Sequence, residues 1–299
     1  MGKVAFVYPG QGTQYVGMGK ELYEKNKRAK ELFDKIFNSL DIDLKKVMFE
    51  GPEDLLKRTD YTQPAIVSLS LVLTELLKEK GIEADYVAGH SVGEFAAFGG
   101  ANYLSIEDAV KLVAARGRIM REVAEKVNGS MAAVLGMNAE KIKEVLKSVD
   151  GVVEAVNFNE PNQTVIAGSK EAVEKACVVL KEAGAKRAMP LAVSGPFHSS
   201  LMKEAGEKLK EEAQKYTFSI GKVKIVANTT AELLESDSEV KDEIYRQSFG
   251  PVKWVDTINK LKSLGVTKIY EIGAGKVLSG LIKKIDKEIE VENIELIEA

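Results

Sequence analysis

A chain of 299 residues with 45% hydrophobic and 29% charged side chains can bury a large core, which excludes disordered, collagen-like and disulfide-scaffold classes. Lys and Arg total 42 against 45 Asp and Glu, a formal charge of -3, so neither nucleic acid nor a membrane is expected as a partner. The single cysteine, Cys177, falls among Val173, Ala176 and Leu180 at helical spacing and reads as core filler.

Short apolar runs alternate with amphipathic stretches, the pattern of a mostly parallel sheet covered by helices. Residues 3–8 read as the first strand, broken by Pro9-Gly10-Gln11-Gly12, and a charged helix is predicted over 20–37. Pro64 reads as the first-turn proline of a helix running to Lys80, where Gly81 stops it. A short strand at 86–88 turns through Gly89-His90-Ser91-Val92-Gly93 into a helix, and Ser105 begins a long helix toward Lys126. From 128 to 192 the order becomes β-α-β-β-α-β, the ferredoxin-like order, with strands at 131–135, 153–158, 163–167 and 186–191 and helices at 139–147 and 170–183. The later segments return to α/β alternation: helix 200–216, strand 223–227, helix 252–264, strand 268–272 and helix 276–284. The predicted fold is α/β: a large discontinuous hydrolase-like domain, 1–127 and 193–299, with a small ferredoxin-like α+β domain, 128–192, inserted into it. A ligand site is expected in the cleft between them.

The apolar run Val4 to Tyr8 is too short for a signal-peptide core. The longest near-apolar stretch, 65–77, is far short of the about 20 residues a membrane span needs. A cytoplasmic location is expected.

Gly89-His90-Ser91-Val92-Gly93 is a G-x-S-x-G between a predicted strand and a predicted helix, the context of a nucleophile elbow. There Ser91 would sit at a helix N-terminus, with the Val92 N–H able to face an oxyanion. Two histidines could serve as its base. His90 adjoins the serine on a sharp turn, where neighbouring side chains diverge, and reads as a packing histidine. His198 lies in an irregular turn, Gly195-Pro196-Phe197-His198, and is the preferred base. With two histidines and one cysteine, no zinc constellation is expected.

The loop from Gly10 to Gly19 fails both phosphate-binding templates, with Tyr15 where a dinucleotide fingerprint needs glycine and Met18 where a P-loop needs lysine. What remains is exposed backbone suited to an oxyanion hole or to a tight connection, and a neighbouring serine elbow favours the first. Arg116, between Ala115 and Gly117, is either a surface cation over a close-packed helical face or an inward guanidinium for a carboxylate. The residues alone favour the surface role.

Phe6-Val7-Tyr8-Pro9-Gly10-Gln11-Gly12, Gln63-Pro64-Ala65, Gly89-His90-Ser91-Val92-Gly93-Glu94, Arg116-Gly117 with Met120, Gly195-Pro196-Phe197-His198, the stretch 246–254 and Glu271-Ile272-Gly273-Ala274-Gly275 together resemble the malonyl-CoA:acyl carrier protein transacylase family, in order from end to end. Ala274 departs from the proline many members carry. The resemblance implies that Ser91 is acylated, that His198 is its base, and that Gln247 orients His198 through its backbone carbonyl. It implies an oxyanion hole of the Gln11 and Val92 N–H groups, and it turns Arg116 inward to hold the malonyl carboxylate. Phe197 would narrow the space beside the acyl α-carbon. The implied reaction moves malonyl from malonyl-CoA through a Ser91 acyl-enzyme to the pantetheine thiol of an acyl carrier protein, by a ping-pong exchange in fatty-acid synthesis. No metal or organic cofactor is implied, and a monomer is expected. The alternative with the same elbow is a serine thioesterase or hydrolase of acyl-CoA, and a non-enzymatic carrier-binding module is the third reading. Lys186 and Arg187 are candidate contacts for an acidic carrier protein.

Overall fold

The computed structural model describes residues 2–297. Its ten strands are β1 (Lys3–Tyr8), β2 (Tyr86–Gly89), β3 (Gly129–Leu135), β4 (Val153–Glu160), β5 (Gln163–Ser169), β6 (Arg187–Pro190), β7 (Lys224–Val226), β8 (Leu233–Leu234), β9 (Val266–Ile272) and β10 (Glu290–Ile294). They form a six-stranded sheet ordered β10-β9-β1-β2-β7-β8 and a four-stranded sheet ordered β4-β5-β3-β6.

The larger sheet is parallel from β10 to β7, and only the edge strand β8 runs antiparallel. After the exposed Lys3, its central strand β1 is an unbroken apolar run because both faces are covered. Phe6 and Tyr8 enter the core beneath the helices Thr59–Glu79 and Ile106–Ala124, while Ala5 and Val7 enter a second core with Trp254, Ile258 and Leu278. The chain leaves β1 and β2 at the same sheet end, where open parallel sheets place their ligands.

In the smaller sheet every neighbouring pair is antiparallel. The helices Ala139–Leu146 and Lys170–Glu182 follow β3 and β5, and Cys177 is buried beside Val173, Ala176 and Leu180 as expected. Two main-chain bonds tie β4 to the larger body: Phe158 N donates to Val252 O at 2.9 Å, and Val252 N donates to Val156 O at 2.8 Å.

Several sequence expectations need correction. The helix predicted over 20–37 is two, Lys20–Lys25 and Lys27–Asn38, because the Asn26 side chain accepts from Ala29 N and restarts the chain as an N-cap. Pro64 lies inside the helix Thr59–Glu79 rather than in its first turn. The extra turn upstream closes onto Arg58 O, which accepts from Tyr61 N and Thr62 N. The helix predicted over 200–216 opens as a 3-10 turn, Ser200–Met202, before Lys203–Ala213. The helices Leu44–Glu50 and Asp237–Gln247 and the strand β10 were not anticipated. Polar and charged residues dominate 237–247 and 290–294, which hid their sparse apolar positions. Among the described residues, no helix is long and apolar enough to cross a membrane.

Candidate active site

Ser91 stands between β2 and the helix Gly93–Gly100 in the left-handed backbone region, at φ 52°. The serine takes that strain, while the flanking glycines answer a different need. A Cβ on Gly89 would overlap the main chain of Gly93 and Glu94, and one on Gly93 would overlap Tyr8 O. Glycine is required at both for close approach, not for positive φ. Asn228 holds the turn, accepting from Ser91 N at 2.8 Å and donating from Nδ2 to Gly89 O at 2.6 Å.

The Ser91 hydroxyl lies 2.8 Å from His198 Nε2. On its far side, His198 Nδ1 faces two carbonyls, Gln247 O at 2.8 Å and Gly250 O at 3.2 Å. Carbonyls only accept, so Nδ1 carries the proton and Nε2 offers a lone pair to the serine. Burial, reinforced by the Arg116 charge, lowers the His198 pKa to about 3 against the support of the two carbonyls. The imidazole is therefore neutral at physiological pH, with its Nε2 lone pair free to accept the serine proton.

His90 turns elsewhere. Its Nε2 lies 2.7 Å from Asn159 Oδ1, and its ring packs edge-on to Trp254. Burial lowers its pKa.

Arg116 is inward and 1% exposed, contrary to what the residues alone favoured. Alanines and Gly117 bring its helix close to the neighbouring one: a Cβ at Gly117 would press on Thr59 O. The guanidinium donates to Gln63 Oε1 at 2.8 Å and Gln247 Oε1 at 2.7 Å, and Nη2 reaches Ser91 Oγ at 3.4 Å. Burial lowers its pKa to about 9, with Glu94 opposing, so it stays charged at neutral pH. Its side-chain partners are neutral, and no carboxylate among the described residues lies within 4.0 Å of it.

The Gly10–Gly12 loop packs beside the elbow, close enough that a Cβ on Gly10 would press on His90 O. Among the described residues, neither Gln11 N nor Val92 N donates to an acceptor. Ser91, His198, Arg116, Gln11 and Phe197 share one cavity of about 350 Å³, large enough for a small acyl group with part of its carrier arm. The strand β4 contributes Asn157 from the smaller sheet, and Leu191 and Val193 border the cavity.

Sequence reasoning left Gln63, Asn159 and Asn228 without roles. Gln63 stood in a quoted motif, but nothing in a lone glutamine announces that it holds a guanidinium. Asn228 follows a three-residue strand, with no turn motif to mark it.

A half-buried serine paired with a buried histidine, beside backbone N–H groups unpaired among the described residues and a buried cation, defines a serine-type acyl-transfer site. Residues 5–292 match the family described as Acyl transferase domain. The chain belongs to the malonyl CoA-acyl carrier protein transacylase family within it. It is 45% identical over 292 residues to the malonyl CoA-acyl carrier protein transacylase of Bacillus subtilis strain 168, covering 97% of this chain and 92% of that protein. It is 41% identical over 302 residues to the transacylase of Staphylococcus aureus strain MRSA252, covering 100% and 97%. A crystal structure of an acyl carrier protein S-malonyltransferase from Vibrio cholerae superposes with a TM-score of 0.95 at 38% identity, over 99% of this chain and 97% of that one. A malonyl-transacylase in complex with a type II PKS acyl-carrier protein also gives 0.95, at 36% identity over 99% and 96%.

Proposed function

We propose that this chain transfers malonyl groups from malonyl-CoA to the pantetheine thiol of an acyl carrier protein. The observation that carries the reading is the Arg116 guanidinium: buried, charged, with no carboxylate within 4.0 Å among the described residues, and 3.4 Å from Ser91 Oγ. A cation buried in that state is costly unless an anion arrives, and a malonyl thioester held for attack by Ser91 brings its free carboxylate there.

Ser91 Oγ attacks the thioester carbonyl as His198 Nε2 takes its proton. The tetrahedral oxyanion is received by Gln11 N and Val92 N, and the collapsing intermediate expels CoA thiolate, which His198 reprotonates. Gln247 O keeps the imidazole in the required tautomer throughout. The carrier thiol then attacks the malonyl-serine ester, giving its proton to His198, and Ser91 leaves with that proton. Phe197 limits substituents at the acyl α-carbon. Every step is carried by side chains and backbone, so no metal or organic cofactor is assigned.

Residues 128–192 are read as an inserted ferredoxin-like unit within the body formed by 1–127 and 193–299, supported by the strand order β4-β5-β3-β6. The protein is read as a cytoplasmic monomer. Intact-mass measurement after mixing with malonyl-CoA tests the reading: one malonyl adduct on Ser91, discharged by holo carrier protein, is expected. Rapid release of free malonate in the presence of carrier protein would instead identify a thioesterase.

A further inference from the structure

Glu94 follows the elbow in the first turn of the helix Gly93–Gly100, where a carboxylate ordinarily serves its own helix terminus. This one does not. It is completely buried, and its oxygens reach residues more than 130 positions away in sequence. Oε1 accepts from Asn228 N at 2.9 Å, and Oε2 accepts from Gln247 Nε2 at 2.7 Å.

Both recipients hold the reacting groups. Asn228 Oδ1 accepts from Ser91 N and its Nδ2 donates to Gly89 O, fixing the strained elbow. The Gln247 amide is used at both ends. Its NH₂ donates to Glu94 and, at 2.8 Å, to Ser91 O, and its Oε1 accepts from Arg116 Nη2. Its main-chain carbonyl meets His198 Nδ1. Burial raises the Glu94 pKa, but both its oxygens face N–H donors, the Ser91 carbonyl only accepts and a guanidinium only donates, so these neighbours leave the amide a single orientation.

We propose that Glu94 is a positioning residue, whose buried carboxylate sets the Gln247 amide and the Asn228 backbone and thereby aligns Arg116, His198 and Ser91 with one another. In Glu94→Gln the side chain keeps its shape, but its amide can no longer accept from both neighbours. With its oxygen toward Asn228 N, its NH₂ meets the Gln247 NH₂. If Gln247 turns over to compensate, its own NH₂ meets the Arg116 guanidinium and its oxygen meets Ser91 O. Either arrangement mis-sets the guanidinium. Glu243, the neighbouring buried carboxylate, accepts from Thr229 N and Thr229 Oγ1, makes no bond to the Gln247 amide among the described residues, and serves as the comparison.

The proposal rests on the malonyl-transfer reading, and the test separates the two. With the full-length protein, kcat and KM for CoA release are measured on malonyl-CoA and acetyl-CoA, alongside Tm, for the unaltered chain, Glu94→Gln, Glu94→Asp and Glu243→Gln. Glu94→Gln is expected to lower the malonyl-to-acetyl ratio of specificity constants by roughly ten- to hundredfold, mainly through kcat. Glu94→Asp, which keeps a carboxyl group, should recover part of that ratio, and Glu243→Gln should leave it unchanged. A merely structural Glu94 would lower Tm and slow both substrates equally. A folded Glu94→Gln with an unmoved ratio overturns the proposal, and so does failure of both Glu94 variants to fold, which would assign the carboxylate to the fold. Absence of malonyl turnover in the unaltered protein would sink the functional reading and this proposal together.

Discussion

Ser91 Oγ and His198 Nε2 meet at 2.8 Å while both residues hold left-handed backbone conformations, at φ 52° and 68°. Neither is glycine, so each resists its conformation by about 1 kcal/mol or more, and the surrounding bonds must hold it. Ser91 N is held by Asn228, and His198 N donates to Ser248 O at 3.0 Å. The two halves of the pair are thus fixed from their own backbones before any substrate arrives.

That strain gives a stability prediction at the nucleophile. Ser91→Ala should form no malonyl adduct and keep the fold, and Ser91→Gly, equally inactive, should be more stable than Ser91→Ala by about 1 kcal/mol, since glycine accepts positive φ freely. Intact mass and urea unfolding read both. A normal adduct in Ser91→Ala would displace the nucleophile, and equal stabilities would remove the strain.

The two histidines should behave differently. His198→Ala should slow acylation by roughly 10²–10⁴, the usual cost of a lost general base. His90→Ala breaks the contact with Asn159 and should act mainly on stability. Pre-steady-state CoA release would show it, and comparable slowing in the two variants would refute the assignment of His198.

Arg116→Ala should lower malonyl turnover by a few kcal/mol of transition-state stabilisation, the scale for breaking one side of a buried pair. Activity toward acetyl-CoA should hold or rise. Arg118, one residue beyond Gly117 but exposed, should tolerate the same change. The readout is the ratio of specificity constants for the two thioesters, and an unchanged ratio in Arg116→Ala would take it out of the acyl site.

The depressed His198 pKa makes a pH prediction with a definite sign. Because the folded imidazole takes its proton only near pH 3, kcat/KM for acylation should be flat from pH 8 down to 5. An acid limb centred near 6.5 would contradict it. For stability, the unfolded chain binds this proton below about pH 6.5 and the folded chain does not, so the contribution is complete above 6.5 and lost as pH falls toward 3. His198→Gln should therefore lose less stability than the unaltered protein on acidification across that window, as denaturant titrations at stepped pH would show.

Docking of the carrier protein can be tested on β6. Lys186 and Arg187 are both exposed, and the chain that follows borders the cavity at Leu191 and Val193. Reversing both charges should raise KM for carrier protein, with less effect on acylation by malonyl-CoA, and the difference should shrink as salt rises. Salt-independent transfer by the unaltered protein would argue against an electrostatic contact.

The parts legible in the sequence were those with strong local pattern. The run Val4–Tyr8 is fully apolar because its strand is covered on both faces, and the segment from 128 to 192 announced each element in order. Ser91 and His198 were readable from a spaced motif and from scarcity. Arg116 was reached only through the family resemblance, because a helix with charged residues on both sides of an arginine does not itself say which way it points. Gln247, too, came only from the resemblance: it ends a polar helix, and its role is played by a backbone carbonyl, which every residue carries. Asn228 and Glu94 act through contacts made only after β7 and β2 are paired.

The two main-chain bonds between Val252 and β4 bear on how such an enzyme could be rebuilt. A relative's segment 128–192, transplanted to alter acyl preference, would arrive with a strand edge shaped for a different counterpart at 252. The lost pair would leave Val156 O and Phe158 N unanswered beside the cavity that Asn157 lines. Chimeras should therefore carry residues 249–253 along with segment 128–192, and grafts that exchange both pieces should keep their solubility where single-piece grafts aggregate.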